Sequence, residues 1–346
     1  MKSRAVAPSS RSYAVDSALR LSFKLRRILA KIGKSSCAMA EIARILCPID
    51  FSETSRHALE HACAFARWYR ARVTVLHVLN VPLPPTMLAP GLGVPATGVT
   101  DELQALPPLR QEDVAGEVRR FTGSIAGADP NCVDVVVVEG STVPEILRQA
   151  EQMPADLLVM GTHGRSGFEA LFLGSMTEKV LRSTRVPVLT VPPAVEHVES
   201  VTYQTILCPI EFSDPSIRAL EYALTLAEET GARLILLHVI ELAIDAAQLR
   251  ELSHFTVPEY QRHLEEDARA RLRSAVPDEA RVWCTPEERV MTGKAHRVIL
   301  DLAEQERAEV IVMGVHGKGA FKRRLFGSTT HHVICEARCP VLTLRA

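Results

Sequence analysis

The sequence predicts an α/β protein: two tandem copies of a doubly wound, five-stranded parallel sheet of Rossmann-like type. Three observations carry that prediction. The chain has 346 residues, room for two domains of about 150 each. Its halves repeat one another: residues 45–79 align without gaps to 206–240 at an offset of 161, with 18 of 35 positions identical. ILCPIDFSETS becomes ILCPIEFSDPS, and VTVLHVL becomes LILLHVI. A second block, 155–191, returns at 308–344 at an offset of 153, so the second copy is shorter in the middle. Finally, runs of Val, Ile and Leu without polar alternation recur between helical patterns. Such runs belong to parallel strands covered on both faces.

The run 45–49 is the first buried strand. Ser52 offers a cap oxygen to the next helix and Glu53 sits in its first turn. In copy two Ser213, Asp214 and Pro215 do the same, with Pro suited to a first turn. Ala58, Leu59, Ala62, Cys63 and Ala66 then form one apolar helix face. The segments 73–79, 133–138, 157–160 and 188–191 supply four more strands, with helices near 110–126, 143–152 and 175–184. In copy two DVVVVEG is replaced by EERVMTG. A strand so weak belongs at a sheet edge. The domains are placed at 41–193 and 204–346, with a polar linker at 194–203.

Composition excludes several classes. Hydrophobic residues make up 47% and charged residues 23%, which is ordinary for a folded globular chain. No stretch approaches the ~18 uncharged apolar residues of a membrane span. The net charge of -1 hides a basic segment: residues 1–40 carry nine Lys or Arg and one acid, Asp16. The rest is mildly acidic and a poor match for nucleic acid, which needs a basic face. Residues 1–40 read as a disordered arm, or as sequence upstream of a true start at Met39. A competing reading makes 19–32 a basic amphipathic helix touching acidic lipid. The eight cysteines include no CxxC, and a reducing cytoplasm fits them best. Cys335 and Cys339 share one turn if their segment is helical.

Two features carry chemistry. Residues 80–109 hold a Pro- and Gly-rich stretch after the second strand, where α/β ligands sit. It reads as a lid or as a plain flexible loop. After the fourth strand copy one has Gly161, His163 and Gly164, then nine residues, then Gly174 and Ser175. Copy two repeats the spacing with Gly314, His316, Gly317, Gly327 and Ser328. The first glycines let backbone approach a ligand closely. The later Gly-Ser opens a helix, whose free N–H groups and dipole suit an anion such as phosphate. Arg165 lies in the loop of copy one; Lys318, Lys322, Arg323 and Arg324 lie in that of copy two. Neither the dinucleotide GxGxxG nor the P-loop is present. The competing reading is that these glycines only make turns and helix–strand contacts. His163 and His316 read as turn residues, His77 and His238 as satisfied core histidines, and His331 and His332 as helix surface. No metal site is expected.

Taken together, CPIDFS, the second-strand LHV and G-x-H-G-x9-G-S resemble the ATP-binding subgroup of the universal stress protein family. The resemblance covers 41–346. It implies an adenine nucleotide-binding fold with ATP, with or without Mg²⁺, across the strand ends. It also implies that two domains pair through their last strands, here the two copies of one chain, with a homodimer as a further option. In copy one it implies Pro48, Ile49 and Asp50 at the adenosine end and Val78 at the adenine edge. Met160, Gly161, Gly164 and Arg165 would follow the ribose and phosphates, and Gly174, Ser175, Met176 and Thr177 would cradle phosphate. In copy two the corresponding residues are Pro209, Ile210, Glu211, Val239, Met313, Gly314, Gly317, Lys318, Gly327, Ser328, Thr329 and Thr330. Glu211 departs from Asp50 by one methylene. The function so implied is nucleotide-dependent regulation in a stress response. Two alternatives stay open: a slow ATPase or phosphotransferase, and a dimerisation scaffold with empty sites. Efficient phosphoryl transfer wants a second acid beside Gly174 or Gly327, and none recurs there.

Overall fold

A computed structural model describes residues 41–80, 110–125, 128–164, 173–193, 201–241, 257–315 and 327–345. The basic segment 1–40, most of the loop 80–109, and Arg165, His316, Gly317 and Lys318 lie outside the described residues.

Copy one runs β1 (Arg44–Pro48), α1 (Glu53–Tyr69), β2 (Arg72–Leu79), α2 (Gln111–Gly123), β3 (Val133–Glu139), α3 (Thr142–Gln152), β4 (Leu157–Gly161), α4 (Ser175–Ser183) and β5 (Val188–Val191). Copy two runs β6 (Thr205–Pro209), α5 (Asp214–Thr230), β7 (Arg233–Ile240), α6 (Val257–Ala275), β8 (Glu287–Thr292), α7 (Ala295–Gln305), β9 (Val310–Gly314), α8 (Ser328–Glu336) and β10 (Val341–Leu344).

The ten strands form one sheet in the order β3-β2-β1-β4-β5-β10-β9-β6-β7-β8. Each copy contributes five strands in parallel register. The copies join where β5 and β10 pair antiparallel, Val341 opposite Thr190 and Thr343 opposite Val188. Both strands at this seam are buried throughout. Two buried hydroxyls bond across it, Thr190 to the Val341 carbonyl and Thr343 to the Val188 carbonyl, each at 3.1 Å. The weak strand β8 is an edge, as its charged sequence requires, and β3 is the other.

Alternate residues feed two cores. Ile45, Cys47, Leu157 and Val159 face α1 and α2, while Leu46, Leu158 and Met160 face α3 and α4. Both cores run on into copy two without a break at the seam. Tyr203, placed in the linker from its sequence, is 2% exposed and belongs to the first core. A second departure concerns the cysteine pair. Helix α8 ends at Glu336, so Cys335 is helical and Cys339 lies beyond the helix.

Candidate functional site

The site is built where the strands of each copy end. Ile49 N–H donates to Leu76 O at 2.8 Å and closes the β1 ladder. The chain then turns sharply. Asp50 Oδ1 accepts from the Ser52 N–H at 3.0 Å and from the Ser52 hydroxyl at 2.5 Å. Ser52 Oγ in turn caps α1 by accepting from Ser55 N–H at 3.1 Å. One carboxylate is thereby fixed at the mouth of the β1–α1 turn.

The turn passes through Phe51 at φ 63°, and copy two repeats it with Phe212 at φ 62°. A bulky side chain in the left-handed region is strained by about 1–2 kcal/mol. Ring packing holds it there. Phe51 lies 4.7 Å from the His77 ring and 5.4 Å from Phe121. Phe212 lies 4.8 Å from His238, with the Arg271 guanidinium 4.0 Å over its face. The two histidines are satisfied: His77 Nδ1 donates to Ile49 O at 2.9 Å, and His238 Nδ1 to Ile210 O at 2.7 Å. Neither Phe was anticipated from the sequence, although an aromatic between an acid and a serine recurs in both copies.

Backbone direction places Val78. In a parallel strand the N–H and C=O of one residue point to the same side, and sides alternate. Val73 N–H donates to Cys132 O beside β3, while Leu76 O faces β1. Val78 therefore faces the β1 side, past the last paired residue, Pro48 opposite Leu76. Its polar edge opens into the space above the end of β1. Val239 has the same relation to β6, since Ile210 N–H donates to Leu237 O and the ladder ends at Pro209.

The glycines close the other wall. A Cβ on Gly164 would lie 2.9 Å from Asp50 Oδ2, so the β4 turn passes directly over the carboxylate. On Gly161 it would meet Thr54 Cγ2 at 2.6 Å, and on Gly174 the Thr162 carbonyl at 2.9 Å. In copy two Gly314 presses on Pro215 and Ser216, and Gly327 on Val315 O, at 2.8–2.9 Å. Packing alone therefore demands Gly161, Gly174, Gly314 and Gly327. Ligand approach is an added reading at these four positions. Met160 and Met313 are both 5% exposed, and with Ile49 and Ile210 they are core side chains lending backbone to the site.

Gly174 and Gly327 are the N-cap positions of α4 and α8, and among the described residues no side chain caps either helix. The first intrahelical bonds come from Glu178 and His331. The N–H groups of Ser175, Met176 and Thr177, and of Ser328, Thr329 and Thr330, thus precede the helical ladder. Ser175, Met176 and Ser328 are exposed. Thr177 and Thr330 are buried, and their hydroxyls donate to Gly161 O at 2.8 Å and Gly314 O at 3.0 Å. Each of these two hydroxyls tethers its helix to the preceding strand, leaving the backbone N–H groups and the exposed Ser175 and Ser328 hydroxyls for an anion. His163 Nδ1 bonds the Thr162 hydroxyl at 2.9 Å. Its Nε2 is buried without a hydrogen-bond partner among the described residues.

The copies differ at the acid. Glu211 Oε1 accepts from the Ser213 hydroxyl at 2.8 Å, but the Ser213 N–H goes to Ser216 Oγ at 3.0 Å. The extra methylene carries the carboxylate past the backbone N–H that Asp50 captures. Among the described residues, no cluster of three or more His, Cys, Asp or Glu could hold a metal. No helix among them is long and apolar enough to cross a membrane.

Comparison with known proteins agrees with this architecture. The model of the universal stress protein family matches residues 41–192 and again 202–345. A universal stress protein of Methanocaldococcus jannaschii is 30% identical over 148 residues, 43% of this chain and 81% of the relative. One from Mycobacterium bovis is 25% identical over 279 residues, 79% of this chain and 87% of its own. The crystal structure of a universal stress protein from Archaeoglobus fulgidus superposes with a TM-score of 0.55 at 27% identity, covering 87% of this chain and 96% of that one. The chain belongs to the universal stress protein family and carries two of its domains in tandem.

Proposed function

We propose that each copy holds one adenine nucleotide, ATP in the first instance, and that occupancy regulates the contacts this protein makes in a stress response. The observation that carries the reading is convergence. In each copy an open backbone edge, a fixed carboxylate and an uncapped helix start meet at the same strand ends. A Val78 N–H and C=O can read a base edge. Asp50 suits ribose hydroxyls, which donate to a carboxylate. The N–H groups of 175–177 suit phosphate. The close pass of Gly164 over Asp50 shapes a cradle that a Cβ would fill. Mg²⁺ would enter on the phosphates, since no protein cluster supplies a cage for it among the described residues. Nucleotide as a signal acts by binding one conformation better than another, so no turnover is required.

The test is mass spectrometry of small molecules released from the denatured protein, with calorimetry using added ATP. Close to two ATP per chain supports both sites, and one per chain confines the reading to a single copy. None, with blank calorimetry, overturns it. Asp50→Asn keeps the shape of the turn and removes the charge. It should weaken the copy-one site about tenfold, the scale of one hydrogen bond to a charged group. Equal affinity in that variant would remove Asp50 from the contact set. Gly161→Val and Gly174→Val are poor probes, because packing forbids them with or without ligand.

A further inference from the structure

The antiparallel seam brings the end of one copy's last strand beside the end of the other copy's helix. With Thr343 opposite Val188, the chain leaving β10 passes the start of β5 and the last turn of α4. Arg345 stands there. Its Nη2 donates to Leu181 O at 2.6 Å. Leu181 is in the last turn of α4, where carbonyls have no intrahelical partner. Thr184 N–H takes the neighbouring carbonyl of Val180. The other cation in that turn, Arg182, is committed to Glu178 at 2.6 Å.

Arg345 is itself held from copy two. Arg218 Nη1 donates to Arg345 O at 3.1 Å. Arg218 lies in the first turns of α5, close to Pro215 and Ser216, which press on Gly314. The tie is not reciprocated. At the offset of 153, Pro192 occupies the position of Arg345 and offers no donor. Helix α8 has no basic residue in its last turn.

We infer that Arg345 is a positioning residue for the phosphate end of the copy-one site, supplied across the seam by copy two. This rests on the nucleotide reading above. Helix α4 has nine residues, about 13 Å at ~1.5 Å per residue, and moves as one body. A cation bonded to a carbonyl of its last turn fixes where its first N–H groups stand. It also complements the negative end of the helix dipole, whose positive end faces the ligand. The consequence is selective: the phosphates feel Arg345, and the adenosine does not.

The experiment uses the full chain with Glu211→Lys, which leaves copy one as the site titrated. Calorimetry compares ATP with adenosine in that parent, in Arg345→Met and in Arg345→Lys. Arg345→Met should weaken ATP by about three- to tenfold and leave adenosine within about twofold, while Arg345→Lys recovers most of the ATP affinity. Unchanged ATP affinity overturns the inference. An equal loss for ATP and adenosine also overturns it, because it reports damage to the seam as a whole. A parent that binds neither ligand overturns the nucleotide reading itself, and the role of Arg345 with it.

Discussion

The two copies end their first helix with the same left-handed dihedral on different residues. Arg70 ends α1 at φ 56°, donating its N–H to Ala66 O, and is exposed. Its counterpart, at the offset of 161, is Gly231 at φ 70°, which ends α5 in the same way. An L side chain in this region costs about 1–2 kcal/mol, and glycine gives back part of that through a looser unfolded chain. Arg70→Gly should therefore stabilise the protein by about 1 kcal/mol, and Gly231→Arg should cost a similar amount. Urea midpoints at neutral pH read both. A fall in midpoint for Arg70→Gly would show that its side chain has contacts worth more than the strain. Phe51 and Phe212 are different despite the same dihedral. Their rings are packed against His77 and His238, so the strain there is retained by the site. The sequence shows the Asp-Phe-Ser and Glu-Phe-Ser repeats. It does not show φ, which is set by where the rings find partners.

Elements were the most legible scale, because an apolar run or a helical face is local information. All five strands of copy one fall within a residue or two of the sequence reading, and so do the starts of the helices after Ser52 and Gly174. The glycine motif was legible as a pattern but only half legible as physics. Whether Gly161 serves a ligand or a neighbour depends on Thr54, more than a hundred residues earlier, and no spacing rule reaches that far. The packing component is separable. Gly161→Ala puts a Cβ at 2.6 Å from Thr54 Cγ2, an overlap that costs about 1–3 kcal/mol when a core must shift. Thr54→Ser deletes that methyl. The double variant should recover at least half of the stability lost in Gly161→Ala, measured by denaturation without nucleotide. Strict additivity of the two changes would mean that α1 and β4 do not meet through this pair.

At the scale of the whole molecule, the copies are joined by more than the β5–β10 ladder. His61 of α1 bonds Tyr203 across the sequence gap, Nδ1 to hydroxyl at 2.8 Å, with the rings stacked 5.8 Å apart. Tyr203 also packs on Trp68 at 5.1 Å, so the chain entering copy two is buried against the first helix of copy one. The repeat could not reveal this, because Tyr222 and Ile42 stand at the corresponding positions. Burial, with His57 nearby, lowers His61 from 6.5 to about 3. Around it, His57 is paired with Glu60 at 2.9 Å, and burial pushes the Tyr203 hydroxyl up, with Cys339 and Glu309 adding to the rise. The unfolded chain protonates His61 near 6.5 and the folded chain only near 3, so the unfolded state holds the extra proton between those values. Stability is complete above that window and is lost as pH falls through it, by at most ~1.4 kcal/mol per pH unit. From pH 7 to pH 5 the loss due to this one group is about 2 kcal/mol, before most carboxylates begin to titrate. His61→Gln keeps an acceptor for the Tyr203 hydroxyl and cannot be protonated. Its stability at pH 7 should be at or below that of the parent, and its loss on going to pH 5 should be smaller by about that amount. An identical loss in parent and variant would mean that water reaches His61 at the seam and that the two copies part more easily than this contact implies.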